Sequence, residues 1–452
     1  MRTSSIAIAL LSCALVAGST HGQTLKHPQS IQPVSLNYDN YYYYHHAEGE
    51  ETSPSDEAPQ PEPEAKAAKS AGNSCCNGSN SCGTTCGDCR ACGNCGCVRG
   101  CNCFLFGDGV PFSVFRNDNC LGLEIGFWSQ VGYHTQGTNG FGDGLTNDYP
   151  NRVQLHQQWT YLERKANGDC GLDWGVRADL MYGTDGQDFQ AFGGRPNDWD
   201  NSWDHGGAYG WALPQVYAEL AFGDLSVKMG KFFRVLGYEQ LPSPNNFFYS
   251  HAFSFYLSEP FTHSGVIADY ALGDCVTVVG GWSLGFDTGF SRNGGDCFLG
   301  GLKLQLTDNL LFSYMTAIGD FGFEDRFNSD ANGYAHTLLM TYNLGERWTF
   351  AVQSDLVDND VLLGSTTNVL SVSEYVMYKL NDCWGVGGRF EWYKNPALGA
   401  GAAGEVSSMT AGLNWRPHAN VVLRPEVRWD DYHSASLWRD STLFGIDCIV
   451  TY

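Results

Sequence analysis

From residue 121 to residue 452, apolar side chains return at every second position in segments of about ten residues, a period that commits the chain to β-strands with two unlike faces. In the first segment Leu121, Leu123, Ile125, Phe127, Val131 and Tyr133 take odd positions, and Gly122, Glu124, Gly126, Gln130 and Gly132 take even ones. WGVRADLMY repeats the pattern, with Trp174, Val176, Ala178, Leu180 and Tyr182 on one face and Gly175, Arg177, Asp179 and Met181 on the other. Sixteen such segments can be laid out: 121–133, 153–163, 173–183, 215–222, 225–235, 265–272, 275–286, 298–307, 310–319, 334–344, 347–357, 369–380, 383–393, 407–416, 420–430 and 442–452.

The connections carry the argument further. After even-numbered segments they are mostly tight and made of turn residues: Gly223-Asp224, Gly273-Asp274, Asp308-Asn309, Gly345-Glu346 and Asn381-Asp382. After odd-numbered segments they are long: 134–152, 184–214, 236–264, 287–297, 320–333, 358–368, 394–406 and 431–441. A soluble sandwich has no reason for this asymmetry. An outer-membrane barrel does, with short periplasmic turns, long external loops and an even strand number. The expected fold is therefore all-β, a transmembrane antiparallel β-barrel of about sixteen strands. Glycine abundance (55 residues), 14% aromatic and 17% charged residues suit that class better than a soluble one. No run approaches the roughly 18 apolar residues of a membrane helix. Trp348, Trp384, Trp415 and Trp429 fall toward segment ends, where girdle aromatics belong, and the terminal Tyr452 resembles the C-terminal insertion signal of such proteins.

The expected organisation is a signal peptide at 1–22, an acidic, proline-rich disordered tether at 23–74, a cysteine-rich segment at 75–104 and the barrel at 115–452. A pair at Ser12 and Cys13 has the look of a lipoprotein signal, but cleavage there would leave an unusually short leader. The tether contains Tyr41 to His46, YYYYHH, which reads as a flexible sticky run, with metal or glycan binding as the other reading. The cysteine cluster comprises Cys75, Cys76, Cys82, Cys86, Cys89, Cys92, Cys95, Cys97, Cys101 and Cys103. A periplasmic setting favours disulfides within it or to envelope partners. Thiolate metal binding and a redox role stay open, although the spacing lacks the two separated knuckles of a zinc site. Cys120 and Cys170 both fall near the expected periplasmic rim and could pair, whereas Cys275 and Cys383 should lie far apart on it.

Four stretches, DWGVRADLMYGTDGQDFQ (173–190), LPQVYAELAFGDLSVKMG (213–230), PSPNNFFYSHAFSFYLSEPFTHSGVIADY (242–270) and GGWSLGFDTGF (280–290), resemble the OmpL-like outer-membrane β-barrel porins of planctomycetes. The resemblance runs over about 115–452 and leaves the cysteine-rich segment outside. It implies an outer-membrane channel, with a homotrimer as a possibility, and it does not carry a substrate.

Sixteen strands enclose a water-filled lumen that something must narrow. The third long loop, 236–264, is the best candidate, with Glu239, Glu259, three prolines and a dense aromatic run. Facing it, the polar sides of the strands offer Arg177, Lys228, Lys303, Arg389, Arg424 and Arg428 among Glu124, Asp179, Asp269, Asp355, Glu391, Glu426, Asp430 and Asp447. Such charges either tune passage or pair to hold the wall. The long loops sum to about −14, with −4 in 184–214, so an acidic vestibule with modest cation preference is expected. The expected partners are outer-membrane lipid, small hydrophilic solutes and ions. A formal charge of −23 argues against nucleic acid. No cofactor or metal is expected, since no spacing matches a calcium loop. No enzyme is expected either. Gly281-Trp282-Ser283-Leu284-Gly285 fits G-x-S-x-G, but it lies within an expected strand, and none of His156, His251, His263 and His336 can be assigned to it as a base. The alternative reading is a structural or adhesive envelope protein, anchored by the barrel and crosslinked through the extension.

Overall fold

In the computed structural model, the described residues are 103–106, 109–115, 121–135, 149–191, 199–290, 295–322, 332–359, 369–395, 404–434 and 438–452. The expected signal peptide, the tether, the cysteines from Cys75 to Cys101 and Cys120 lie outside them. Seventeen strands occur among the described residues: β1 (Glu124–His134), β2 (Gln154–Arg164), β3 (Asp173–Gly183), β4 (Asp204–His205), β5 (Tyr209–Phe222), β6 (Leu225–Phe233), β7 (Thr262–Ala271), β8 (Val276–Ser283), β9 (Asp296–Thr307), β10 (Leu310–Asp320), β11 (Asn332–Leu344), β12 (Trp348–Asn359), β13 (Val369–Lys379), β14 (Trp384–Asn395), β15 (Gly404–His418), β16 (Val421–Ser434) and β17 (Trp438–Thr451).

Sixteen of them pair antiparallel with their chain neighbours and close when β17 meets β1, with Trp128 opposite Thr451 and His134 opposite Gly445. The closure leaves no sheet edge, the condition for strands in a bilayer. The two-residue β4 pairs only with β5 and sits in the second long connection. Each expected segment overlaps one barrel strand. The boundaries differ most on the long-loop side, where β5 starts at Tyr209 and β17 at Trp438. Backbone pairing there continues past the apolar band, so the period-two signal ends before the ladder does. The five tight turns lie where the sequence places them, and Gly223 (φ 54°) and Gly345 (φ 61°) adopt the left-handed conformation that favours glycine.

Burial inverts the rule of soluble proteins. On β13, Ser371 and Ser373 are completely buried, while Leu370 and Val376, at positions of the opposite parity, are 39% and 41% exposed. The exposed set, including Trp174, Leu220, Met229, Phe298, Leu338 and Phe444, shares the outward face. A belt of outward apolar side chains around a polar interior is the pattern that lipid outside and water inside select. The outward Trp384 and Trp415 stack at 5.5 Å beside the short turns.

Candidate functional site: an inward loop across the lumen

The connection between β6 and β7 begins at Arg234 and returns at Phe261, where the Arg234 amide donates to the Phe261 carbonyl at 3.1 Å. Between Leu236 and Phe261, Tyr256 is the one exposed residue. An external loop of this length normally meets water, so near-complete burial places it inside the barrel.

Its backbone is held by charged side chains of the opposite wall, which supply the hydrogen bonds that an irregular buried backbone requires. Glu426 on β16 accepts the amides of Tyr249 and Ser250 at 2.8 and 3.0 Å. Glu391 on β14 accepts those of Phe253 and Ser254 at 2.6 and 2.9 Å. The guanidiniums take the carbonyls: Arg424 donates to Ser243 O and Asn246 O at 3.0 and 2.7 Å, Arg428 to His251 O at 2.6 Å, and Arg389 to Ser250 O at 2.6 Å. Charge-assisted hydrogen bonds of this kind contribute roughly 1.5–3 kcal/mol each. The remaining edges of Arg424 and Arg428 meet Asp447 and Asp430.

Three aromatic side chains of the loop fill notches left by inward-facing glycines. A Cβ at Gly387 would come within 2.6 Å of the Phe247 ring, one at Gly412 within 3.0 Å of Phe248, and one at Gly445 within 2.7 Å of Tyr249. Tyr249 also meets Gly132 on β1, and its hydroxyl lies 2.6 Å from His156 Nε2, whose Nδ1 is 3.0 Å from Asp185 Oδ1. The loop thus reaches β14, β15, β16, β17, β1 and β2 from its base on β6 and β7.

Glu239 and Glu259 are both buried, with opposite electrostatics. Glu239 accepts from Arg389 (2.7 Å) and Tyr375 (3.2 Å) on one oxygen, and the Ala252 amide (3.0 Å) and His251 Nδ1 (2.8 Å) face the other. Burial pushes its pKa up, but Arg389 and His251 outweigh burial and hold it down at about 2. Glu259 has Arg234 at 3.0 Å and Gln353 as a donor to its other oxygen. Burial dominates there, helped by the charges of Asp355 and Glu239, and its pKa is pushed up to about 8 against the pull of Arg234.

The other expected lumen residues sit elsewhere. Arg177 pairs with Glu163 at 2.9 Å and with Asp179, under the ring of Tyr161, while Asp179 accepts from Trp159 at 3.0 Å. Lys228 lies 5.1 Å from the Tyr217 ring, and Lys303 meets Asp269 at 3.0 Å. These belong to wall clusters on β2, β3, β5–β7 and β9, away from the tether of the loop. Sequence reasoning missed Gln157, whose side chain donates to Leu241 O at 3.0 Å and accepts the Ser243 amide at 3.1 Å, and also Gln353, Ser250, Tyr375 and the notch glycines. Inward glycines were visible as even or odd positions, but their partners lie more than 80 residues away along the chain.

Two cysteine and histidine expectations are resolved differently. Cys103 is disulfide-bonded to Cys383, a residue absent from the expected set, and Cys170 is a free, exposed thiol. His263 Nδ1 stands 3.4 Å from Ser283 Oγ, so a histidine does adjoin the G-x-S-x-G serine. Both are completely buried at the end of a strand. The same Nδ1 faces Gly285 O at 3.1 Å, and Ser283 Oγ accepts the Gly285 amide, a turn-closing arrangement with no strand-to-helix elbow.

Among solved structures, the outer-membrane expressed OmpT of Vibrio cholerae aligns at 11% identity, covering 73% of this chain and 97% of its own, with a TM-score of 0.48. The outer membrane channel DcaP of Acinetobacter baumannii aligns at 12% identity over 73% of this chain and 97% of its own (TM-score 0.48), and a mutant of the Rh. blastica porin at 11% over 73% and 100% (TM-score 0.47). No curated protein matches the sequence. The model of the family described as "Putative beta-barrel porin-2, OmpL-like" matches residues 122–452, which is the whole barrel, and the chain belongs to that family of outer-membrane β-barrel porins.

Proposed function

We propose that the protein is a passive diffusion channel for small hydrophilic solutes, with its lumen narrowed by residues 236–264 and with a mild preference for cations. The observation that carries this reading is the burial of that loop within the barrel, its backbone tied to the opposite wall. The guanidiniums facing it are paired with carboxylates, Arg389 with Glu239, Arg424 with Asp447 and Arg428 with Asp430, so a passing ion meets less positive charge than the wall carries. The long external loops, at about −14, supply the cation-enriching field. A homotrimer is part of the proposal, as are the periplasmic extension with its 23–74 tether and 75–104 cysteine segment, and a planctomycete source. Purified protein in a planar bilayer should show discrete conductance steps and a reversal potential displaced toward the cation value. Correctly folded protein without such steps would refute the channel.

The second reading, a barrel that anchors a crosslinking extension, draws support from the disulfide between Cys103, the last cysteine of the cluster, and Cys383 of the barrel. Disulfide-linked multimers on non-reducing gels of envelope fractions would favour it.

A further inference from the structure

The segment before the barrel carries an unusual surface. Of its described residues, Leu105, Phe106, Val110, Phe112, Val114 and Phe115 are between 42% and 64% exposed. Scattered exposed apolar residues need no explanation, but a run of six within eleven positions does.

The segment is fixed in place along the short-turn rim. Cys103 is bonded to Cys383, in the turn before β14. The Phe106 amide donates to Pro417 O at 2.9 Å, near the end of β15. Asn420, in the turn between β15 and β16, accepts from the Phe112 amide at 2.9 Å and donates to the Phe112 carbonyl at 2.8 Å and to Thr451 O at 2.7 Å. The Phe115 ring then stacks on Phe127 at 5.4 Å, and Phe127 stacks on Tyr452 at 5.9 Å. Phe127 shares the outward parity of the exposed Val131 on β1. The segment therefore follows the rim from β14 to β1 and joins the outward aromatic girdle there.

We propose that residues 103–106 and 109–115 form a collar lying in the periplasmic leaflet of the outer membrane, with phospholipid as the occupant of its apolar surface. The inference rests on the reading of the barrel as outer-membrane embedded and extends the lipid contact to a segment outside the family match. Continuity with the lipid-facing girdle through the Phe115, Phe127 and Tyr452 rings selects lipid over a protein partner. The composition agrees: CFLFGDGVPFSVF contains one charged residue, an aspartate, so apolar insertion and not attraction to anionic headgroups would drive contact. The disulfide and Asn420 hold the collar at that depth at two separated points, which reduces the entropy lost on insertion.

The test uses full-length protein refolded into phosphatidylethanolamine and phosphatidylglycerol vesicles, with a benzophenone amino acid at Phe106, Phe112, Phe298 or Phe247. Phe298 is 51% exposed on the outward face and reports bilayer insertion; Phe247 is buried in the lumen and reports background. After irradiation, intact mass should show lipid adducts at Phe106, Phe112 and Phe298 and none at Phe247. Adducts at Phe298 without any at Phe106 and Phe112 would overturn the collar and leave the barrel reading standing. Absence at Phe298 would instead defeat the embedded barrel, and the collar with it. Crosslinks from Phe106 and Phe112 to protein, whether to residues 1–102 or to another chain, would also overturn it. The double variant Cys103→Ser, Cys383→Ser should lose lipid adducts at Phe106 several-fold while retaining them at Phe112, which Asn420 still holds. Unchanged yield at Phe106 would remove the disulfide from the proposal.

Discussion

Arg389 on β14 donates to Glu239 of the inward loop at 2.7 Å, joining residues 150 positions apart within a fully buried pair that also engages Ser250. Removing one partner of such a pair leaves an uncompensated buried charge and costs about 3–5 kcal/mol. Arg389→Ala should therefore free the middle of the loop while the sixteen-strand ladder persists. Single-channel conductance should rise and become noisy, with the heat-modifiable mobility of the folded barrel retained on gels. Unaltered conductance in folded Arg389→Ala would separate this contact from the constriction.

The notch glycines give a steric version of the same test. Gly412→Val and Gly445→Val place carbon atoms where the rings of Phe248 and Tyr249 lie. Overpacking of this kind costs about 1–3 kcal/mol. The loop should be displaced, increasing chymotrypsin cleavage between 236 and 261, a stretch rich in Phe, Tyr and Leu and without Lys or Arg. Gly388, on the outward side of β14 with its nearest neighbour 3.9 Å from a built Cβ, is the control, and Gly388→Ala should leave the cleavage pattern unchanged.

Acid and alkali should loosen the loop by different groups. Glu239 has its pKa depressed to about 2, so its contribution is complete above the ordinary carboxylate range and is lost as pH falls from about 4.5 through 2. Glu259 has its pKa raised to about 8, so between about 4.5 and 8 the attached loop keeps a proton that the detached loop would release. Attachment therefore weakens as pH rises through that window. Open-channel noise should be lowest near pH 5 and increase on both sides. Glu259→Gln should flatten the alkaline arm and leave the acid arm in place, read from noise spectra across the pH range.

The Cys103 to Cys383 bond predicts a specific peptide pair. Non-reducing digestion and mass spectrometry should recover the two cysteines in one crosslinked peptide, which dithiothreitol separates. Cys383→Ser should leave the folded barrel intact, since the residue precedes β14 and the ladder does not depend on it, while residues 103–115 become more susceptible to proteolysis.

Much of the fold was legible because side-chain parity is a local property. The alternation within 121–133 or 173–183 assigns each residue to a face without knowing which strand is its neighbour, and turn residues such as Gly223-Asp224 mark where the chain reverses. The expectation that 236–264 enters the lumen drew on its prolines and aromatics. Its attachment was not legible. Glu426 and the Tyr249 amide are 177 positions apart, and nothing near either residue announces the other. The same holds for Cys103 and Cys383, where nine neighbouring thiols made the local cluster the more obvious partner, and for His263 beside Ser283, which two neighbouring strands bring together.

By itself, then, the sequence determined that this chain forms an antiparallel barrel with an apolar outside, a charged inside and long loops on one rim. Period-two burial and turn chemistry act over a few residues and do not depend on closure. Only the tertiary structure decided what the interior charges do. Once the barrel closes, Arg389, Glu391, Arg424, Glu426 and Arg428 face a backbone whose amides and carbonyls have left water. There they bond the backbone of a loop that the same closure confines.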